Sequence, residues 1–385
     1  MKNNKVNCDI LVVGAGISGV AAAVAAARQK SSVILLEQND FPGGTPIIAM
    51  HNFICGIKRD NVGLLKEIIA KTALGEKPVR RGKVMVMPFK TERMTAGLNR
   101  IIQNERRIRA FYCCSAVSVE VLNNRIALVI AKYASGKMSI VPKAVIDASG
   151  EGKIIKLSKA KYNSSALNKR QLSGFSFKVK GIKGDSKILA WKVPYYLAKG
   201  AVNNNFPEYF KFSLFSPGYS RDEGFIKLNI PPLKRAGNSK ATVKTATFIH
   251  NYLRKNLPEF KNSYITQVSP KAADREGIRL SGEYILSKKD VLEAKKHLDA
   301  VAKGCWPIEF WDRKKGLTLT YLKKGGSYEV PLRSLKSRNI NNLFAAGRCI
   351  SADPYALAST RVMGTCISLG EAAGIAASNY AHTLS

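Results

Sequence analysis

Six residues constrain this chain more than any others: Gly14-Ala15-Gly16-Ile17-Ser18-Gly19, a G-x-G-x-x-G turn set between an apolar run and an alanine-rich one. Cys8–Val13 reads as a strand, Ser18–Gln29 as a helix, and Ser32–Glu37 as a second, parallel strand ending in an acid. In such a βαβ unit each glycine has its own duty. The first permits the tight turn, the second lets a pyrophosphate approach the backbone, and the third lets helix and strand pack closely. The helix N-terminus then turns its free N–H groups and its dipole toward the phosphates. Glu37 is placed to accept hydrogen bonds from adenosine ribose hydroxyls, and its carboxylate would repel a 2′-phosphate. The expectation is an adenine dinucleotide held by Gly14, Gly16, Ile17, Ser18, Gly19 and Glu37.

NAD and FAD share this first unit, so other segments must discriminate. Phe41-Pro42-Gly43-Gly44-Thr45 offers a glycine pair where backbone can pass close to a bulky flat ligand. Asp147-Ala148-Ser149-Gly150-Glu151-Gly152 ends a buried strand in glycines, placing Ser149 and Gly150 for a further contact with the nucleotide. Gly347-Arg348 follows another buried strand, and Thr360–Gly374, with Gly364 and Thr365, begins a helix able to stabilise charge on a reduced flavin. With one G-x-G-x-x-G in the chain, these segments together favour FAD.

The two ends share one texture. Leu343–Ala346 reads as a buried strand and about Thr360 to Tyr380 as one long helix, so residues 1–155 and 331–385 are expected to form a single FAD-binding domain. Between them, 156–330 is rich in aromatics, prolines and lysines, with helices near 240–256 and 288–303. It is expected as a second, strand-rich α+β lobe on the substrate side. Alternating runs at Ala116–Leu122, Ile126–Tyr133 and Lys137–Val141, then a buried run at Ala144–Asp147, complete the first domain. The fold class is α/β with a Rossmann-like FAD-binding domain.

Charge is the unusual part of the composition. Lys and Arg total 62 against 27 Asp and Glu, a net +35. Such an excess draws a protein toward nucleic acid, an anionic membrane surface or acidic substrates, although the basic residues are scattered rather than gathered in a tail. Seven cysteines, an odd number without C-x-x-C spacing, argue against a metal centre or disulfide framework and suit a reducing compartment. The first strand begins too early for a signal peptide, and glycines interrupt the apolar stretch Ile10–Ala27. A cytoplasmic protein, or one peripheral at a membrane, is expected.

The sequence resembles the FAD-dependent oxidoreductase family of the glutathione-reductase-like flavoproteins, related to the flavin domain of heterodisulfide reductase. Cys8–Thr45 and Asp147–Gly152 carry the general likeness. Arg275-Glu276-Gly277-Ile278-Arg279, Ser281-Gly282-Glu283-Tyr284 and Asp290-Val291 carry a more specific one. The most specific stretches are Val330–Leu335, Asn342–Ser351, Ser359–Cys366 and Gly370–Gly374. The resemblance implies a glutathione-reductase-type fold with FAD contacts at Gly14, Gly16, Gly19, Glu37, Gly43, Gly44, Gly347 and Arg348, and a backbone contact from Val117 to adenine. Relatives would carry a small hydroxyl residue at Asp353 and a proline at Gly364.

In a flavoprotein the flavin does the redox work, while the protein places substrate and moves protons. His51, seven residues beyond the glycine pair, is the first candidate for a general base, and Cys55 a candidate nucleophile. Arg361 and Arg279 are candidates to bind a carboxylate or phosphate, and Asp353 and Tyr355 lie on a loop that could join the site. His250, His297 and His382 are expected on the solvent faces of amphipathic helices. The first functional expectation is hydride transfer between a small or apolar organic substrate and flavin N5. The alternatives are a flavoprotein modifying tRNA or another nucleic acid, and an electron-transfer subunit with a redox partner protein at a membrane surface.

Overall fold

The computed structural model describes residues 5–58, 61–73, 75–232, 239–323 and 326–384. It opens with β1 (Lys5–Val13), α1 (Ile17–Arg28) and β2 (Val33–Leu36), then α2 (Thr45–Ile48), β3 (Phe53–Cys55) and α3 (Gly63–Thr72). Next come β4 (Val79–Arg81), β5 (Val84–Pro88), α4 (Thr91–Asn104), β6 (Ile108–Phe111), β7 (Ser115–Leu122), β8 (Arg125–Tyr133), β9 (Gly136–Asp147) and α5 (Lys153–Leu157). The middle contains β10 (Tyr162–Asn163), β11 (Ser173–Lys180), α6 (Ser186–Val202), β12 (Leu214–Pro217), β13 (Glu223–Ile230), α7 (Ser239–Asn256) and β14 (Tyr264–Val268). The chain closes with β15 (Arg279–Leu280), α8 (Lys288–Leu292), β16 (Ala300–Gly304), β17 (Ile308–Asp312) and β18 (Gly316–Thr320). After them come β19 (Tyr328–Pro331), β20 (Leu343–Ala345), α9 (Pro354–Thr360) and α10 (Met363–His382).

A seven-stranded sheet runs β6-β2-β1-β9-β8-β7, with β20 also pairing β9. β6, β2, β1, β9 and β20 are parallel, whereas β7, β8 and β9 form an antiparallel meander. All four residues of β2 are buried, as a parallel strand covered on both faces requires. β9 is one strand where two were expected. Its pairing with β8 stops at Ile140 and that with β20 starts at Val145, so on that side Pro142 lies between the two partners, while on the other side it is in register with Cys8 of β1.

The alanines of α1 explain how the chain ends meet. Gly370 and Gly374 of α10 lie so close to α1 that a Cβ would fall 2.1 Å from the Ser18 carbonyl oxygen and 2.3 Å from that of Ala22. Small residues on both helices permit this approach, and the two helices share the main core with β1 and β2. The long helix expected from about Thr360 to Tyr380 is α10, which starts at Met363; Thr360 itself ends a short α9, and Arg361-Val362 separate the two.

A second sheet, β12-β13-β11-β14, is antiparallel. Its period-two alternation separates two environments. Phe175, Phe177, Ile226 and Leu228 pack with Leu189, Val193, Ile249 and Leu253 of α6 and α7, while Gly174, Ser176 and Lys227 line a cavity. Among the described residues of 156–330, only this portion builds its own core. Leu286, Val291, Ala302, Ile308, Tyr328 and Val330 are buried with the N-terminal elements in the main core.

The expected helix over 288–303 is α8 alone, followed by a loop and β16. A Ser287–Asp290 capping box starts it, and Ala294 in a left-handed conformation (φ 53°) ends it. His297 is therefore on a loop, half-buried against the edge of Tyr284. His250 is not at the surface either: it is buried in α7, 2.9 Å from Ser263 Oγ. His382, in the last turn of α10, is exposed.

Candidate active site

At the tips of β1 and β2 the three glycines of the turn have three different surroundings. Gly14 has φ 100°, and a Cβ there would stand 2.7 Å from the Ala148 carbonyl oxygen. A Cβ on Gly19 would fall 1.8 Å from the Gly14 carbonyl oxygen, so this glycine sets helix-to-strand packing. A Cβ on Gly16 would meet nothing within 4 Å among the described residues: on that side the backbone is bare toward the cavity, directly at the N-terminus of α1. That open face, beside first-turn N–H groups, fits a pyrophosphate.

The neighbouring loops are tied to this turn by hydrogen bonds. Ala15 N–H donates to the Glu37 carboxylate at 2.7 Å, and Asn39 N–H donates to its other oxygen at 2.9 Å. Gly43 N–H donates to the Ala15 carbonyl at 2.8 Å, which brings Gly44 and Thr45 to the same cavity. Gly347 (φ 63°) packs on Ser18, where a Cβ would meet the hydroxyl at 2.4 Å. Arg348 donates from Nε and Nη2 to the Gly150 carbonyl at 2.9 and 2.7 Å, and from Nη1 to the Asp274 carbonyl. Gly14, Gly16, Ile17, Ser18, Glu37, Gly43, Gly44, Thr45, Ser149, Gly150 and Arg348 thus line one cavity.

Other expected cofactor contacts stand apart. Gly364 packs on the loop after β3, where a Cβ would fall 2.3 Å from the Gly56 carbonyl oxygen, and Thr365 is buried with its hydroxyl unpartnered. Their neighbours Val362, Met363 and Cys366 line the cavity instead. Val117 lies outside the lining, at a bulge in the β7–β8 pairing.

Beyond the cradle the cavity reaches a group of titratable side chains: His51, Cys55, Lys227, Arg275, Glu309 and Arg361. Lys227 comes from the cavity face of β13 and Glu309 from β17. Trp306 and Trp311 donate their indole N–H groups to the Glu309 carboxylate at 2.9 and 2.7 Å. Arg361 Nη2 donates to the Glu309 carbonyl at 2.8 Å and stands 3.8 Å from its carboxylate, while its Nε is buried without a partner. Arg275 lies 4.3 Å over the Trp311 ring and donates to Leu172 and Asn229. Lys227 also lies over that ring, at 5.1 Å. Among the described residues its ammonium has no hydrogen-bond partner.

Three cations facing one carboxylate in a secluded space set the titration of the group. Burial pushes Glu309 up, but Arg361, Lys227 and the two indoles more than reverse this and hold it at about 2. Burial, and then Arg275 and Arg361, push Lys227 down to about 8 despite Glu309. Burial and the positive charge of Lys227 hold His51 at about 3, so its imidazole is neutral near pH 7. Its Nε2 lies 3.9 Å from Cys55 Sγ, a thiol that burial pushes well above its ordinary value. Cys55 is thus a protonated thiol rather than the expected nucleophile.

Asp353 is a correction too. Its carboxylate caps α9, accepting from Tyr355 and Ala356 N–H at 2.9 and 2.7 Å, and accepts Lys288 N–H at 2.6 Å, outside the cavity. Tyr355 stacks on Phe310 at 4.9 Å, and Arg279 is buried against Glu276 at 3.4 Å. Neither Tyr355 nor Arg279 lines the cavity. Lys227, Arg275 and Glu309 were missed as site residues. The available signal was a charged residue in a strand otherwise written in apolar letters: Lys227 in Phe225–Leu228 and Glu309 in Ile308–Trp311.

Comparison with known proteins adds a family and a fold. The family model described as FAD dependent oxidoreductase matches residues 9–383. A 4-oxocyclohex-2-ene-1-carboxylate 5-dehydrogenase from Sinomonas cyclohexanicum is 48% identical over 48 residues, a stretch covering 12% of this chain and only 8% of that protein. A geranylgeranyl bacteriochlorophyll reductase-like protein from Thermoplasma acidophilum superposes with a TM-score of 0.51 at 12% identity, over 99% of this chain and 79% of that one. A p-nitrophenol 4-monooxygenase from Pseudomonas putida does so with a TM-score of 0.51 at 8% identity, over 94% and 77%. At such identities the two superpositions show a shared fold.

Proposed function

The chain belongs to the FAD dependent oxidoreductase family, and from that premise we propose that it transfers a hydride between a small organic acid and FAD N5. Bound in the cradle, FAD supplies the two-electron chemistry. The observation that carries the acid is the excess of Lys227, Arg275 and Arg361 over Glu309 at the far end of the same cavity. By its name, the Sinomonas relative acts on a carboxylate, which is the same substrate class. We read the FAD unit as the glutathione-reductase type, supported by the β7–β8–β9 meander beside the parallel strands.

In this reading Lys227 and Arg361 hold the acid group, through an ammonium without a hydrogen-bond partner and a buried Nε without one. Arg275, already spent on Leu172 and Asn229, contributes field rather than contact. Glu309, fixed by two indoles, orients Arg361. His51 is held neutral by burial and by the surrounding cations, and a docked negative charge cancels part of the cations' field. Its pKa then rises, and the imidazole accepts the proton released as the hydride leaves.

The test is anaerobic mixing of the purified flavoprotein with small organic acids, reading loss of the oxidised-flavin absorbance. Deuterium on the carbon that donates the hydride should slow bleaching severalfold. Bleaching with no isotope effect under any condition, or reduction by one-electron donors alone, would overturn the hydride reading.

A further inference from the structure

The outer side of the second lobe carries a surface that the redox site does not use. α6 and α7 pack on the face of β11 and β13 opposite Lys227 and Ser176, so their exposed sides point away from the cavity. On α6, Ile188 (59% exposed), Trp191 (83%), Tyr195 (62%) and Val202 (75%) are left in solvent. At about 100° per residue these four fall within an arc of about 60°, one stripe along the helix. Lys187 and Lys199, both exposed, flank it on either side. The neighbouring α7 adds an exposed Phe248. Across the two helices there are three basic residues on α6 and four on α7, with no acidic residue in either.

We propose that this face of α6 and α7 docks the protein in the plane of an anionic phospholipid bilayer. A ridge of Trp, Tyr, Ile and Val between lysines has the chemistry of an in-plane helix: aromatic and aliphatic groups enter the headgroup boundary while the ammonium groups stay at the lipid phosphates. Charge complementarity identifies the occupant, since these helices offer only positive charge in a chain of net +35. Nucleic acid fits less well. Phosphate contact needs the lysines alone and single-strand binding needs stacking rings, and neither use accounts for Ile188 and Val202 at the ends of the ridge. Among the described residues no helix is long and apolar enough to cross a membrane, so the contact is a surface one.

The chain contains three tryptophans, and two of them, Trp306 and Trp311, are buried, which makes Trp191 a built-in reporter. The FAD-loaded protein should float with vesicles of phosphatidylcholine and phosphatidylglycerol but not with phosphatidylcholine alone. Its tryptophan emission should shift to the blue on binding, and Trp191→Phe should abolish the shift. The double change Trp191→Ser and Tyr195→Ser should weaken vesicle binding at least about tenfold while flavin content and turnover stay unchanged. Three results would overturn the proposal: no flotation with anionic vesicles, binding that the double change leaves intact, or retention on RNA that anionic vesicles fail to compete.

Discussion

Arg361 Nη2 sits 2.8 Å from the backbone carbonyl of Glu309 and 3.8 Å from its carboxylate, so one residue holds the arginine through both its main chain and its charge. Replacing the carboxylate by an amide leaves Lys227, Arg275 and Arg361 without their counter-charge and turns the acceptor of one of the two indole N–H groups into a donor. Glu309→Gln should cost on the order of 3 kcal/mol of stability. Urea unfolding followed by far-UV circular dichroism measures it, and a loss below about 1 kcal/mol would show that the cluster is less coupled than its geometry indicates.

Acid should unfold the protein through two identifiable groups. His51 titrates at about 3 in the fold against an ordinary 6.5, so the unfolded chain binds the extra proton between those values and stability falls as pH drops from 6.5 toward 3. Glu309, held at about 2 against 4.5, contributes stability that is complete above 4.5 and lost as pH falls toward 2. Thermal melts across pH 7 to 3 should show declining midpoints, and His51→Gln should flatten the upper part of that decline.

Two glycines of the cradle, Gly16 and Gly19, should fail in different ways. Gly16→Ala places a methyl in open space, so the apoprotein should keep its melting temperature while FAD affinity falls about tenfold or more. Gly19→Ala drives a Cβ into the Gly14 carbonyl and should destabilise the apoprotein itself. Equal melting temperatures for the two variants would contradict the assignment.

Asp353→Ala removes an N-cap and a bond to Lys288 N–H, and should cost about 1 kcal/mol. Flavin bleaching by substrate should remain within about twofold of the unsubstituted protein. A much larger kinetic loss at full flavin content would return Asp353 to the chemistry.

Much of the cradle was legible in the sequence because its glycines do one job each at fixed spacing, and the resulting shape is local. The FAD cofactor followed for the same reason, since Gly43-Gly44 and Gly347-Arg348 mark backbone that must pass close to something. The far end of the cavity was harder to read. Lys227, Arg275, Glu309 and Arg361 meet only after two sheets and several loops have folded, and a lone charge in a strand gives no hint of its partners. Asp353 misled because a carboxylate before Pro354 fits a helix cap as well as a reactive loop, and only the bonds to Tyr355 and Ala356 N–H decide. The histidines misled likewise, since the amphipathic reading of 240–256 did not show that His250 lies on the buried side facing Ser263.

The charge-binding role of the cavity is tested most directly by anaerobic titration of the FAD-loaded protein with a bleaching organic acid and its matched amide. Dissociation constants are read from the flavin spectrum, with and without Lys227→Met. The acid should bind at least about tenfold more tightly than the amide, should lose most of that advantage in the variant, and should weaken as pH rises through about 8, where Lys227 loses its proton. Equal binding of acid and amide, or a preference for the acid that survives Lys227→Met at every pH, would contradict it.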